Sequence, residues 1–309
     1  MRSTVRGRDF LSIRQFTSEE LSGLLTLARE IKAQPGQYTA SLKGQTLALI
    51  FEKPSLRTRV SFDVGIQQLG GFSVYLSPAE INLGKRESAY DVAKNLERMV
   101  QAIMVRTFAH EIVESMAQHA AVPIINGLTD FSHPCQAMAD YLTILELKGR
   151  LRGIKVAYVG DGNNVANSLL FAGARFGAHV SVGTPRGYEP APEVMAWVQE
   201  NAPATGSICT VTNDPFEAVR GADVVYTDVW ASMGQEAEAE QRKGIFAPYQ
   251  VNAALMAKAG NDAIFMHCLP AHRGEEVAPE VIDSPRSVVF QQAENRLHAQ
   301  KAILYSVMR

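Results

Sequence analysis

Cysteine is scarce in this chain: Cys135, Cys209 and Cys268 are the only three in 309 residues. An odd number so widely spaced builds no disulfide framework, which points to a reducing compartment, the cytoplasm. No apolar run reaches the roughly 18 residues that a membrane-spanning helix needs. The opening MRSTVRGRDFLSIRQF has no apolar core for a secretion signal. A surplus of positive charge is also missing. Thirty Lys and Arg stand against 32 Asp and Glu, a net charge of -2. No global field therefore draws the chain to nucleic acid or membrane, and any anion site must be a local gathering of basic side chains. Internal repeats, low-complexity segments and blocks of like charge are lacking too.

What is present is an alternation of short apolar strands and amphipathic helices, with 46% hydrophobic residues overall. The length suits two domains of about 150 residues each. Thr17 to Lys32 reads as a helix with Thr17 as N-cap and Glu20 completing a capping box. Thr46–Phe51, Phe72–Leu76, Ala102–Arg106 and Val122–Asn126 read as strands. Helices are expected at about Arg57–Leu69, Ser88–Met99 and Ala137–Lys148. The pattern then restarts, with strands at Gly153–Gly160, His179–Gly183, Val224–Thr227 and Ala263–His267. A helix is expected at Val165–Phe176 and a last one at Ala293–Val307. The class is α/β, two doubly wound parallel-sheet domains in succession, whose ligands should sit at the carboxyl ends of the strands.

Several of those strand ends carry chemistry. After the first strand comes Glu52-Lys53-Pro54-Ser55-Leu56-Arg57-Thr58-Arg59. It reads either as an N-cap with two solvated arginines or as a phosphate site, with free helix N–H groups and guanidinium forks. Arg106 ends its strand as a solvated terminus or an anion clamp. His133-Pro134-Cys135-Gln136 is either a helix start with Pro near N1 or a pair of donors for a carbonyl or phosphate oxygen. Gly160-Asp161-Gly162-Asn163-Asn164 is a dinucleotide fingerprint without its third glycine. The next strand ends in Gly183-Thr184-Pro185 rather than in an acidic residue, which argues against NAD. Asn164 could face a zwitterion instead. Asp228 at a strand end could hold an ammonium, and the polar segment after it, through Lys243, suits a lid or a plain surface loop. Cys268 is packing or chemistry. Zinc on His133, Cys135, His267 and Cys268 lacks the spacing of common zinc sites, so no metal is expected.

Read in order, Ser-x-Arg-Thr-Arg (55–59), His-Pro-x-Gln (133–136), Asp-x-x-x-Ser-Met-Gly (228–234), His-Cys-Leu-Pro (267–270) and Glu-Asn-Arg (294–296) resemble the aspartate/ornithine carbamoyltransferase family over essentially the whole chain. The first two motifs look like its shared carbamoyl-phosphate site, the last three like its ornithine branch. The aspartate branch, by resemblance, has His-Pro-Leu-Pro in place of residues 267–270 and lacks Ser-Met-Gly. Leu56 departs from the Thr of many members, and Cys135 occupies a variable position.

The resemblance implies a carbamoyl-phosphate-binding domain at 1–148, joined by the C-terminal helix 291–309 packing back on it. An ornithine-binding domain at 149–290 is implied beside it. By the same resemblance, Ser55, Leu56, Arg57, Thr58 and Arg106 hold the phosphate, with Asn82 brought in by the segment Ser77–Ser88 of a neighbouring subunit. His133, Gln136, Arg296 and the Leu269 backbone polarise the carbamoyl C=O, an oxyanion-hole role. Asn164, Asp228, Ser232 and Met233 hold the amino-acid head of ornithine. Cys268 lies beside the δ-amine and the reacting carbon. The implied catalytic set is Arg106, His133, Gln136, Asp228, Cys268 and Arg296. Carbamoyl phosphate is already activated, so no cofactor is implied, and the family is a homotrimer with shared sites. The rivals are a sister transcarbamylase acting on putrescine or an acylated ornithine, and a silent assembly subunit. The second would have lost Arg57, His133 or Arg296, and this chain keeps all three.

Overall fold

The computed structural model describes residues 5–84, 86–231, 234 and 236–309. It divides into two compact units, Met1–Leu142 with Glu294–Arg309, and Thr143–Ala293.

The first unit opens with α1, Ser18–Ala33. Thr17 caps it: its hydroxyl accepts the Glu20 N–H, and the Glu20 carboxylate accepts the Thr17 N–H at 2.8 Å. Leu21, Leu24, Leu25, Ala28 and Ile31 form its buried stripe. Then follow β1 (Thr46–Phe51), α2 (Leu56–Gln68), β2 (Phe72–Leu76), α3 (Pro78–Ile81), α4 (Ala89–Leu96), β3 (Ala102–Arg106), α5 (His110–His119), β4 (Ile124–Leu128) and α6 (Pro134–Lys148), which belongs to this unit as far as Leu142. The four strands are parallel, in the order β2-β1-β3-β4. β1 and β3 are buried almost throughout, as a parallel sheet covered on both faces requires. The strand order reverses between β1 and β3, so their carboxyl ends flank the crevice where such folds bind ligands. β4 begins at Ile124, not at Val122 as its apolar residues suggest, because Pro123 has no N–H to give the ladder. At Gly127 a Cβ would collide with Met104 Sδ, beside the register shift at Val105 and Arg106.

The second unit contains β5 (Lys155–Val159), α7 (Asn164–Phe176), β6 (His179–Gly183), α8 (Pro192–Asn201), β7 (Cys209–Thr212), α9 (Pro215–Val219), β8 (Val224–Thr227), α10 (Ala239–Phe246), α11 (Ala253–Met256), β9 (Ile264–His267) and α12 (Pro279–Ile282). Its five strands are parallel, in the order β7-β6-β5-β8-β9, and the reversal falls between β5 and β8. Ala157, Val159, Val225, Phe265 and Val277 are among its core residues. Gly162 has no room for a side chain, since a Cβ there would collide with the Tyr188–Pro190 backbone.

The last helix, α13, runs Val289–Met308 and belongs to the first unit from Glu294 onward. Its end is tied to the chain start by Gly7 N–H to Val307 O at 2.9 Å. Gly65 of α2 leaves space for Leu297, Lys301 and Leu304 to lie against it.

Candidate active site

In the first unit the loop after β1 turns into α2 at Ser55. The Ser55 hydroxyl accepts the Thr58 N–H at 3.2 Å, the ordinary N-cap arrangement, so the positive end of the α2 dipole opens at this strand end. Thr58 is buried. Its hydroxyl accepts from two guanidinium groups, Arg106 at 3.4 Å from the end of β3 and Arg296 at 3.1 Å from α13. Arg296 also donates to Gln136 Oε1 at 2.6 Å, and Gln136 donates through Nε2 to Asp140 at 2.8 Å. That chain fixes the amide's orientation and joins four elements, α2, β3, α6 and α13, in one network.

His133, just before α6, is buried in the same place. Burial, and then the nearby charges of Arg296, Arg106 and Arg57, hold its pKa well below the usual 6.5. The imidazole is therefore neutral at physiological pH, a hydrogen-bonding group rather than a cation. Three arginines around one neutral histidine make a strong local positive field in a chain whose net charge is -2. Cys135 lies beside them with its thiol directed to Asn126 O at 3.4 Å, and burial pushes its pKa up to about 12. At that value the thiol stays protonated at neutral pH.

In the second unit the residues at the strand ends gather around Asp228, which follows β8. The Asn163 amide donates to one carboxylate oxygen at 2.9 Å, and the Cys268 thiol, following β9, donates to the other at 2.9 Å. Asn163 is held in turn: its Oδ1 accepts from Tyr158 Oη at 3.3 Å and caps α7 through Val165 N–H and Ala166 N–H. Burial raises the Tyr158 pKa, with Asp228, Asp161 and Cys268 adding to it, so the phenol remains a donor.

Asp228, His267 and Cys268 lie close enough to hold a metal ion. Both nitrogens of His267 are already committed, however, Nδ1 to the Leu269 N–H at 2.8 Å and Nε2 to Glu276 at 3.1 Å. Glu276 also accepts the His272 N–H. Burial would raise the Glu276 carboxyl, but those two hydrogen bonds outweigh it and hold its pKa down. The pair thus braces the turn that carries Leu269, whose backbone is left-handed at φ 59°.

The residues singled out from sequence fall into two groups, one in each unit. Ser55, Thr58, Arg106, Gln136 and Arg296 are linked by hydrogen bonds, with His133 and Arg57 within their electrostatic reach. Asp228 and Cys268 touch directly. The Leu56 side chain is 73% exposed and can offer the site only its backbone. Arg59, read as a second guanidinium fork, is exposed and stacks on Tyr75 at 3.7 Å. Asn82 is exposed, with a left-handed backbone at φ 48°. Asn164 opens α7 and is buried. Ser232 and Met233 lie outside the described residues.

Sequence reasoning passed over four groups. Asn163 stood beside the residue it chose. Asp140 lies four positions after Gln136, a spacing that places both on one helix face. Glu276 has no sequence signal that links it to His267. Arg242 sits in the segment read as a lid or loop, yet Glu236–Phe246 is helical. Its buried guanidinium reaches Asp161 at 2.8 Å and Trp230 O at 3.0 Å, anchoring that segment to the loop after β5.

Two family profiles cover nearly all of the chain. Residues 8–146 match the carbamoyl-P binding domain of aspartate/ornithine carbamoyltransferase, and residues 152–307 match its Asp/Orn binding domain. Ornithine carbamoyltransferase of Thermococcus kodakarensis is 57% identical over 307 residues, covering 99% of this chain and 98% of the relative. The anabolic ornithine carbamoyltransferase of Pyrococcus furiosus is 55% identical, again over 99% of this chain and 98% of the relative. The solved structure of Pyrococcus furiosus ornithine carbamoyltransferase superposes with a TM-score of 0.96 at 55% identity, over 98% of both chains.

Proposed function

The chain belongs to the aspartate/ornithine carbamoyltransferase family, and from that premise we propose that it transfers the carbamoyl group of carbamoyl phosphate to the δ-amine of L-ornithine, giving L-citrulline and phosphate. The observation that carries the choice of ornithine is the buried Asp228 carboxylate with Cys268 and Asn163 on its two oxygens. A carboxylate there attracts an ammonium and repels the extra carboxylate of aspartate. The Pyrococcus furiosus relative is named as anabolic, and we place this chain in the same direction, arginine biosynthesis.

In this reading the first unit holds carbamoyl phosphate and the second holds ornithine. Ser55, Arg57, Thr58, Arg106 and the amide of Leu56 bind the phosphate and neutralise the charge that grows as it leaves. Neutral His133, Gln136 and Arg296, with the Leu269 backbone, polarise the carbamoyl C=O and stabilise the tetrahedral oxyanion. Asp228 with Asn164, Ser232 and Met233 holds the amino-acid head. Cys268 lies at the reacting amine and carbon. Catalysis is positioning plus electrostatics, since the acyl donor is already activated.

We further propose a homotrimer with shared sites, working in the cytoplasm. Leu56 and Val60 on α2 and Phe72 and Val74 on edge strand β2 are 73%, 49%, 64% and 46% exposed, and the two elements pack side by side. An apolar surface of that kind wants a partner. A neighbouring copy covering it would bring the segment Ser77–Ser88, with Asn82, toward the phosphate; Lys85 of that segment lies outside the described residues. Three free cysteines suit a reducing compartment. Among the described residues no helix is long and apolar enough to cross a membrane.

The decisive experiment is a citrulline-type ureido assay with ornithine, putrescine, N-acetylornithine and aspartate in parallel. Ornithine should lead by more than about 100-fold in kcat/KM, because a site built around a polar head group rejects ligands that lack it. Comparable turnover of putrescine would replace the ornithine reading with a sister transcarbamylase.

A further inference from the structure

The first unit contains a cavity of about 480 Å³ between α1 and α13, bordered by the turn after α1 and the end of α2. It lies apart from the residues gathered at Thr58. Lys301, on its wall, is 2% exposed. The ammonium meets the Gln68 amide oxygen at 2.9 Å, and among the described residues no carboxylate lies within ion-pair distance of it. Its stem occupies the space that Gly65 leaves open, where a Cβ would stand 3.4 Å from Lys301 Cγ. A lysine buried to this extent is costly unless an opposite charge reaches it.

His298 lies one turn earlier on the same helix face and lines the same cavity. It is 8% exposed; Nε2 faces Glu294 at 3.3 Å, while Nδ1 is buried with no hydrogen-bond partner. Burial, then Lys301 and Lys32, depress the His298 pKa, and burial alone depresses that of Lys301. Lys32 completes the basic rim and holds Asn295 at 2.8 Å and Glu294 at 3.6 Å. The remaining wall includes Ile31, Leu69 and Leu297. One deeply buried cation, one histidine nitrogen and apolar walls suit a singly charged anion with a hydrocarbon body better than a phosphate, whose second charge and extra oxygens would need more donors.

We propose that this cavity is a second anion site, which takes a small aliphatic monocarboxylate whose oxygens meet the Lys301 ammonium and the Nδ1–H of His298, which takes up a proton as the anion binds and keeps its Nε2–H on Glu294, and whose short chain covers Ile31 and Leu297. The probe is pentanoate, titrated calorimetrically into the full-length chain in carboxylate-free buffer, with pentanamide and inorganic phosphate as comparisons. Pentanoate should bind at one site per chain, at least tenfold tighter than pentanamide. Lys301→Met keeps the side-chain volume and removes the charge, so it should weaken binding at least tenfold and raise Tm. Should that variant not fold, His298→Leu takes its place, with the same loss of binding expected. Arg57→Ala should bind pentanoate as the wild type does, which separates this cavity from the candidate active site. Equal affinity for pentanamide, unchanged binding in the folded variant, loss of binding in Arg57→Ala, or no binding at tens of millimolar would each overturn the proposal. So would phosphate binding at Lys301 with pentanoate excluded.

Discussion

The two sheets reverse their strand order in the same manner, yet the two crevices are opposite in charge. At the first, arginines from α2, β3 and α13 surround Thr58 and a neutral His133. At the second, a carboxylate takes hydrogen bonds from an amide and a thiol, and a further buried carboxylate, Glu276, braces the next turn. Topology supplies a place for a ligand in each unit, and the side chains at the strand ends decide which ligand it is. One site suits a phosphate and the other an ammonium, which is what a reaction between carbamoyl phosphate and an amine needs. A net charge of -2 conceals both.

The strongest way to break this division is to remove a charge from the first crevice. Arg57→Ala should lower kcat/KM by about a thousandfold or more, a loss of about 4 kcal/mol in transition-state stabilisation. Arg57 is half-buried in the first turn of α2, not in the core, so the melting temperature should move little. Steady-state rates and thermal melts on the same preparation check both. A variant keeping more than about a tenth of the activity would remove the phosphate role. The matching change in the second crevice is Asp228→Asn. It should cost about a hundredfold in kcat/KM for ornithine, while KM for carbamoyl phosphate changes less than about threefold. An equal rise in both KM values would show that the division of labour is not real.

Much of this was legible in the residues themselves. The strands β1, β2, β3, β6 and β8 begin and end where the sequence places them; β1, β3, β6 and β8 are almost wholly buried, as strands of a covered parallel sheet are, and their apolar runs stand out against the polar turns beside them. β7 was missed: it is four residues long and half-exposed at the sheet edge. α5 and α8 were passed over as well, and α13 begins four residues before the expected Ala293. The motif residues were visible because their side-chain chemistry is unusual at a strand end. Their partners were not. Asn163 was indistinguishable from Asn164 until α7 showed which one caps the helix. Glu276 and Arg242 act across loops, at separations that carry no period.

A gentler probe of the second crevice is Cys268→Ser. Serine keeps a donor toward Asp228 but has a much weaker acid than a thiol, so kcat should fall about tenfold, with the ornithine KM rising more than that for carbamoyl phosphate. Wild-type activity should climb from pH 6 to 9, because the attacking amine resembles a lysine amine, with a pKa near about 10.4. Rates measured across that range for both proteins decide it. Indistinguishable profiles would reduce the cysteine to packing, and a trapped carbamoyl thioester would replace direct attack with a covalent route.

The smallest effect concerns stability and belongs to the first crevice. His133 is held well below 6.5 in the folded chain, by burial first and then by Arg296, Arg106 and Arg57, whereas in the unfolded chain it should titrate near its ordinary 6.5. Above that value both states carry a neutral imidazole, and the group adds no pH dependence. Below it, the unfolded state takes up a proton that the folded state refuses, so stability falls as pH falls. The slope approaches about 1.4 kcal/mol per pH unit for one proton. His133→Gln removes that proton from both states. Urea unfolding of the wild type and of the variant at pH 7, 6.5, 6 and 5.5 should therefore show a flat difference down to 6.5, and below it a difference that shifts in the variant's favour. Other titrating groups contribute equally to both proteins and cancel. Inorganic phosphate, bound among the three arginines, would offset the charges that depress His133 and should shrink this slope. Equal slopes without phosphate would mean that the imidazole is already protonated in the folded chain, and a slope that ignores phosphate would mean that the anion does not settle beside it.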